Sequence, residues 1–224
     1  MTPRDKLRLL RLIATTPGVM KIGPVYASSG SVVPVIPDFR KLYSYPSALQ
    51  LMGKLLAAES RQLRARVLAG IETAGIPLVA VASIYSRIPM VYLRKKAHAG
   101  WSRSIIDGDY KRGARTVLMD DAITFGGQKL NFIRRLKGQL KVVGLLVIWD
   151  SSYPSRFRKQ LTRYKVTIRA FVTKLEVMDY MLKHGFMHQD TYDVMLAQTN
   201  NPWHWNKDKR VWRKMLRIKR RGTL

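Results

Sequence analysis

Asp120 and Asp121 stand side by side after the apolar run Val117-Leu118-Met119, and Thr124, Phe125, Gly126, Gly127 and Gln128 follow within a few residues. The pattern reads as a strand, two carboxylates, then a turn into a helix. It predicts that both acids sit at the carboxyl edge of a sheet, where open α/β folds bind ligands. Two adjacent carboxylates suit the vicinal hydroxyls of a ribose, with Mg²⁺ nearby. The turn at 124–128 leaves backbone N–H groups at a helix N-terminus, a site for a phosphate. Together these features describe a cradle for a ribose 5-phosphate. The plainer alternative is an Asp-bearing helix cap followed by a glycine turn. A second cluster, Arg94-Lys95-Lys96, precedes a polar stretch holding Gly100 and Gly108. By residue type alone these are three cations at the start of a loop or hairpin. In a chain this basic, a solvated surface run is the plainer reading.

The carboxylates are conspicuous because acids are scarce. The 224 residues hold 41 Lys and Arg against 14 Asp and Glu, a formal charge of +27. Such a surface draws polyanions: nucleic acid, phosphorylated ligands or anionic lipid. The chain has no cysteine, which excludes a disulfide scaffold and any Cys-ligated zinc or iron–sulfur site. Its apolar runs are short, Val142–Trp149 being among the longest, and none approaches the ~18–20 residues of a membrane span. A cytoplasmic protein is expected.

The elements around these residues alternate. Residues 2–15 read as an amphipathic N-terminal helix of the domain, in preference to an Arg-rich presequence. A Pro/Gly/Ser-rich stretch from Pro17 to Pro37 holds short strands near 19–22 and 32–36, and Pro46 opens a helix to about Ser60. Strands then fall at 66–69, 89–93, 116–120, 142–149 and 166–171. Helices fall at 75–86, 126–136, 155–164 and 174–184, and 94–108 reads as a loop or hairpin. Strands alternating with helices predict an α/β fold, a mainly parallel twisted sheet with helices on both faces. A small N-terminal hood, about 1–45, covers the carboxyl edge. The expected domain spans 1–198, and residues 199–224 form a basic, Trp-containing tail. Positions 207–221 hold nine Lys or Arg and one Asp, with Val211, Met215 and Ile218 at helical spacing. This is either an added basic helix or a disordered end.

The string from Asp120 to Gln128, including Ala122 and Ile123, resembles the phosphoribosyl-pyrophosphate (PRPP) motif of the type I phosphoribosyltransferases. Three further strings narrow the resemblance to orotate phosphoribosyltransferase. Ser29-Gly30 through Pro34 to Asp38-Phe39-Arg40 is similar to that family's N-terminal signature. Ala69-Gly70-Ile71-Glu72-Thr73-Ala74-Gly75 is similar to its pyrophosphate loop. Arg94-Lys95-Lys96-Ala97 with Ile106-Asp107-Gly108 is similar to the two ends of its catalytic loop. The four motifs run in the family's order from about residue 17 to 130. The resemblance implies a glycosyltransferase of pyrimidine biosynthesis that joins orotate to PRPP, giving orotidine 5′-phosphate and pyrophosphate. It implies Mg²⁺, held indirectly by Asp120 and Asp121, and a homodimer whose catalytic loops reach over each other's sites. Glu72, Thr73, Ala74 and Gly75 would hold pyrophosphate. Arg94, Lys95, Lys96, His98, Asp120 and Asp121 would serve catalysis. Ser28, Ile36, Pro37, Thr124 and Ser151 would face the base.

The chain departs from the family pattern in three places. His98 stands at the loop lysine and Gly100 at the following His or Tyr. Asp150-Ser151 replaces an Asp-Arg pair, with Arg156 and Arg158 close in sequence. Ser28 replaces a lysine. The alternative reading keeps the fold and its PRPP or nucleotide binding but gives the protein a nucleic-acid-binding or regulatory role, or another base. The tail, with its cations and Trp residues, fits contact with RNA, DNA or another polyanion.

Overall fold

In the computed structural model, residues 1–27, 30–97, 104–151, 153, 156–222 and 224 are described, with backbone only at 156–158 and 162. The chain begins with α1 (Pro3–Thr15), capped by Thr2, whose hydroxyl accepts from the Asp5 N–H at 3.1 Å, with Pro3 in the first turn where its missing donor costs nothing. Strands β1 (Met20–Tyr26) and β2 (Val32–Pro37) form an antiparallel pair, separate from the main sheet. A short 3₁₀ turn (Phe39–Ser44) leads into α2 (Pro46–Gln62). Then come β3 (Val67–Ile71), α3 (Gly75–Ser86), β4 (Met90–Leu93), β5 (Ile106–Asp107), β6 (Arg115–Ile123), α4 (Gly127–Arg135), β7 (Lys141–Asp150), α5 (Arg156–Tyr164), β8 (Thr167–Thr173) and α6 (Lys174–Lys183).

The main sheet has the order β5-β4-β3-β6-β7-β8, parallel throughout except for the β4–β5 hairpin. Alternate residues of its central strands serve two cores. Leu68, Val117, Met119, Leu146 and Ile148 pack with α1, α2, α3 and α6 on one face. Val67, Ala69, Ile71, Leu118, Leu145 and Val147 pack with Leu130, Phe132 and Ile133 of α4 and Leu161 of α5 on the other. Both faces are covered, as a parallel sheet requires.

The strand β6 is longer than its hydrophobic run suggests. Its pairing with β7 continues past the carboxylates, with Ala122 opposite Trp149 and Ile123 opposite Asp150. Asp120 and Asp121 therefore lie inside the strand, and Asp120 is buried rather than facing solvent.

The last segment is ordered and packed. α7 (Gln189–Asn200) is followed by a 3₁₀ turn (Trp205–Lys207) and α8 (Lys209–Arg221). Asp208 caps α8, accepting from Arg210 N–H at 2.8 Å and Val211 N–H at 3.3 Å, and Gly222 ends it with φ of 71°. Met215 and Ile218 are buried with Val194 and Trp205 and meet Ile22 and Val32 of the β1–β2 pair. Low apolar content hid this segment: a narrow stripe suffices when the opposite face is all charge.

Candidate active site

β3 feeds α3 on one face of the sheet, and β6 feeds α4 on the other. The two strands are neighbours, so the chain turns away in opposite directions at their carboxyl ends and leaves a crevice between them. Two glycines bring its walls together. A Cβ on Gly75 would lie 2.3 Å from the Met119 carbonyl oxygen, and one on Gly70 2.6 Å from the Gly75 oxygen. Only glycine lets the start of α3 sit directly against the end of β6.

The crevice opens into a cleft of about 620 Å³. One wall is the loop Glu72-Thr73-Ala74, whose first peptide is cis. This loop is tied on both sides: the Glu72 carboxylate accepts from the Lys95 N–H, and the Tyr43 hydroxyl donates to the Ala74 oxygen at 2.7 Å. The opposite wall is the turn from Thr124 to Gln128 at the N-terminus of α4, with Gly126 at φ of 80°. Ile36, Pro37, Asp38 and Arg40 close it from the β2 side, and Trp203 from the C-terminal segment.

Charge in the cleft is arranged in pairs. Lys129, in the first turn of α4, is buried and makes an ion pair with the Asp120 carboxylate. The other Asp120 oxygen accepts from the Asp121 N–H at 2.9 Å. Burial, and next the neighbouring Asp120, push the Asp121 carboxyl up to about 7. Asp38 accepts from Arg40 at 2.7 Å and Lys21 at 2.9 Å, and the Arg40 hydrogen bond leads in lowering its carboxyl to about 2. Arg40 is thereby held at the mouth with most of its side chain in solvent.

No protein-family profile matches the chain. It is 29% identical over 189 residues to the orotate phosphoribosyltransferase of Lactobacillus johnsonii, covering 82% of this chain and 88% of that one. Its fold matches orotate phosphoribosyltransferase from Aeropyrum pernix with a TM-score of 0.67 and 25% identity, over 80% of this chain and 99% of the other. It matches Leishmania donovani UMP synthase with a TM-score of 0.77 and 23% identity, over 87% of this chain but only 42% of that longer protein. The chain is similar to orotate phosphoribosyltransferases in sequence and in fold.

Most residues singled out by the family resemblance converge. Glu72, Thr73, Ala74, Lys95, Asp120, Asp121, Ala122, Thr124, Phe125, Gly126, Gly127, Gln128, Ile36 and Pro37 all line the cleft. Ile123 does not; it is buried in the core beneath. Gly75 acts from behind through the close approach to Met119. Arg94 is not among the lining residues. It pairs with Asp107 and bonds the Tyr92 hydroxyl at 3.1 Å, tying together the two ends of the segment between β4 and β5. Lys96 is exposed outside the cleft lining. Ser151 is buried, accepting from the Trp149 indole N–H at 3.0 Å, and does not reach the lining. Ser28, His98 and Gly100 lie outside the described residues, as do the side chains of Arg156 and Arg158.

Sequence reasoning missed Lys129 and Trp203 and gave no site role to Asp38, Arg40 or Tyr43. A signal for Lys129 existed. The first turn of a helix favours anions, so a lysine there, on the face carrying Leu130 and Ile133, calls for a carboxylate partner. Nothing in the sequence marks Trp203, which arrives from eighty residues downstream.

Asp121 generates a pH prediction. Its folded value, about 7, lies above the ordinary 3.8. A carboxyl raised in this way contributes stability in full below about pH 4 and loses it as pH climbs through the raised value. The melting midpoint of unliganded Asp121→Asn should therefore gain on wild type between pH 5 and pH 7.5, read by thermal denaturation. A constant difference across that range would mean Asp121 ionises normally.

Proposed function

We propose that the protein transfers ribose 5-phosphate from PRPP to orotate, releasing pyrophosphate and giving orotidine 5′-phosphate. The observation that carries this reading is the cleft itself. A carboxylate pair on β6 faces both a helix N-terminal phosphate turn and the Glu72–Ala74 loop across the crevice. The amides of 124–128 take the 5-phosphate. Asp120 and Asp121 take the ribose hydroxyls, and Lys129 holds Asp120 in place. The 72–74 loop and Lys95 hold the pyrophosphate. In the reaction the C1–O bond to pyrophosphate breaks, its electron pair leaves with that group, and orotate nitrogen supplies the pair for the new C1–N bond. Positive charge accumulates on the ribose meanwhile, so fixed carboxylates beneath it and cations at the departing phosphate lower the barrier. Ile36 and Pro37 offer the base an apolar surface.

The donor set fits Mg²⁺. Asp120 and Asp121 are hard oxygen ligands, and an ionised Asp121 calls for more positive charge than Lys129 supplies. Among the described residues no group of three or more His, Asp or Glu gathers to hold a metal by itself, so the two carboxylates would share the ion with the pyrophosphate, whose charge it offsets. Pyrophosphate release measured with orotate, uracil and the purine bases tests the reading. Orotate should be the preferred base, and Asp121→Asn, which leaves the buried Lys129–Asp120 pair intact, should weaken PRPP binding by calorimetry while remaining folded. Unchanged PRPP affinity in that variant would remove the ribose cradle.

A homodimer completes this reading. The sequence of α3 is apolar on every side, the mark of a helix buried all round, yet Ile84 is 75% exposed. A second copy is the natural cover. Ile84→Glu should shift the protein to a monomer by light scattering; an unchanged mass would place the interface elsewhere.

The C-terminal segment supports a further interaction, with polyanions. α8 buries Met215 and Ile218 and leaves Arg210, Arg213, Arg217 and Arg220 exposed. Binding through them would be governed by counterion release. Replacing these four with Gln should weaken binding of a generic oligonucleotide and flatten its log–log salt dependence by about 0.7–0.9 for each phosphate no longer neutralised. PRPP affinity should stay the same. An unaltered slope would put any polyanion binding on another face.

A further inference from the structure

Trp203 is 52% exposed, an unusual state for the largest side chain in a protein with a full core. It is not loose. One face stacks on Phe125 of the phosphate turn, with ring centroids 4.7 Å apart and planes inclined by 19°. Phe125 packs in turn on Tyr153, at 5.1 Å.

The backbone on each side of Trp203 is pinned. Upstream, Gln198 is buried and accepts from the Tyr153 hydroxyl at 2.7 Å and from the buried Lys174 ammonium, which also donates to the Met195 oxygen at 3.0 Å. Downstream, Trp205 is buried, and its indole N–H donates to the Val32 oxygen of β2 at 2.8 Å. Trp203 is thus suspended between the main sheet and the β1–β2 pair, with its indole in the wall of the cleft.

The cleft lining holds two kinds of surface. Thr73, Lys95 and the N-terminal turn of α4 at 126–128 suit phosphates, whereas Ile36, Pro37, Phe125 and Trp203 are apolar. A rigid aromatic face left open in a cleft suits a flat ring, since stacking adds to the apolar area covered.

We propose that Trp203 contacts the heterocycle of the substrate, so that the segment after α7 is part of the active site rather than an appendage to it. This rests on the phosphoribosyl-transfer reading for the identity of the ligand. The stacked Phe125 makes Trp203 a rigid wall, and the buried Gln198 and Trp205 fix its position without needing the ligand.

The test compares two ligands on the full chain: orotidine 5′-monophosphate, which carries the ring, and ribose 5-phosphate, which does not. The nucleotide should quench tryptophan emission and ribose 5-phosphate should not. Trp203→Phe should abolish that quench while binding the nucleotide nearly as well by calorimetry. Trp203→Ala should weaken nucleotide binding by about tenfold, the equivalent of ~1.4 kcal/mol, and leave ribose 5-phosphate affinity unchanged. A quench that survives in Trp203→Phe, or an equal loss for both ligands in Trp203→Ala, overturns the proposal. The second of these would reduce Trp203 to a prop for the phosphate turn. Wild-type protein that releases pyrophosphate with orotate while Trp203→Ala keeps full nucleotide affinity sinks this inference alone. A Trp203-dependent quench without turnover on any base sinks the transfer reading alone. A wild-type chain that binds no nucleotide overturns both.

Discussion

A single ion pair ties the chemistry of this cleft to its scaffold. Lys129 reaches from the first turn of α4 to Asp120 at the end of β6, and both are almost wholly buried. Removing one partner of such a pair strands the other charge, at a cost of about 3–5 kcal/mol. The pair therefore holds the phosphate turn, the strand and the start of the helix as one unit. It also divides the work of two adjacent acids. Asp120 is committed to Lys129, while Asp121 resists ionisation until more positive charge arrives.

Much of this was legible in the sequence, for local reasons. The carboxylate pair, the Gly126-Gly127 turn and the Glu72–Gly75 loop are contiguous strings whose function depends on neighbouring backbone. The alternation of strands and helices was equally readable, because each central strand is a short apolar run between turn residues. Strand length was less readable. The pairing of β6 with β7 carries through Asp120 and Asp121, and polar residues inside a strand look like its end.

What stayed hidden depends on distance along the chain. Trp203 meets Phe125, Trp205 meets Val32 and Lys174 meets Gln198 only once the sheet is assembled. The basic segment was ambiguous for another reason. Nine cations in fifteen residues resemble a disordered end, and two buried side chains, Met215 and Ile218, are what fasten the helix. The departures from the family pattern follow a similar division. Ser151 is buried and accepts from the Trp149 indole N–H, so it does not line the cleft.

The backing of the β1–β2 pair by α8 has a consequence for how the molecule is made. Ile22 and Val32 are translated long before their partners Met215 and Ile218. Domains form from their N-terminal end during synthesis, at about 5–20 residues per second. Throughout elongation this antiparallel pair stands without its cover, exposing apolar surface beside a basic nascent chain. The pair gains its backing, and the cleft its Trp203 wall, only once this later segment has been made. Termination before Met215 would leave a chain whose β1–β2 pair is open and unbacked.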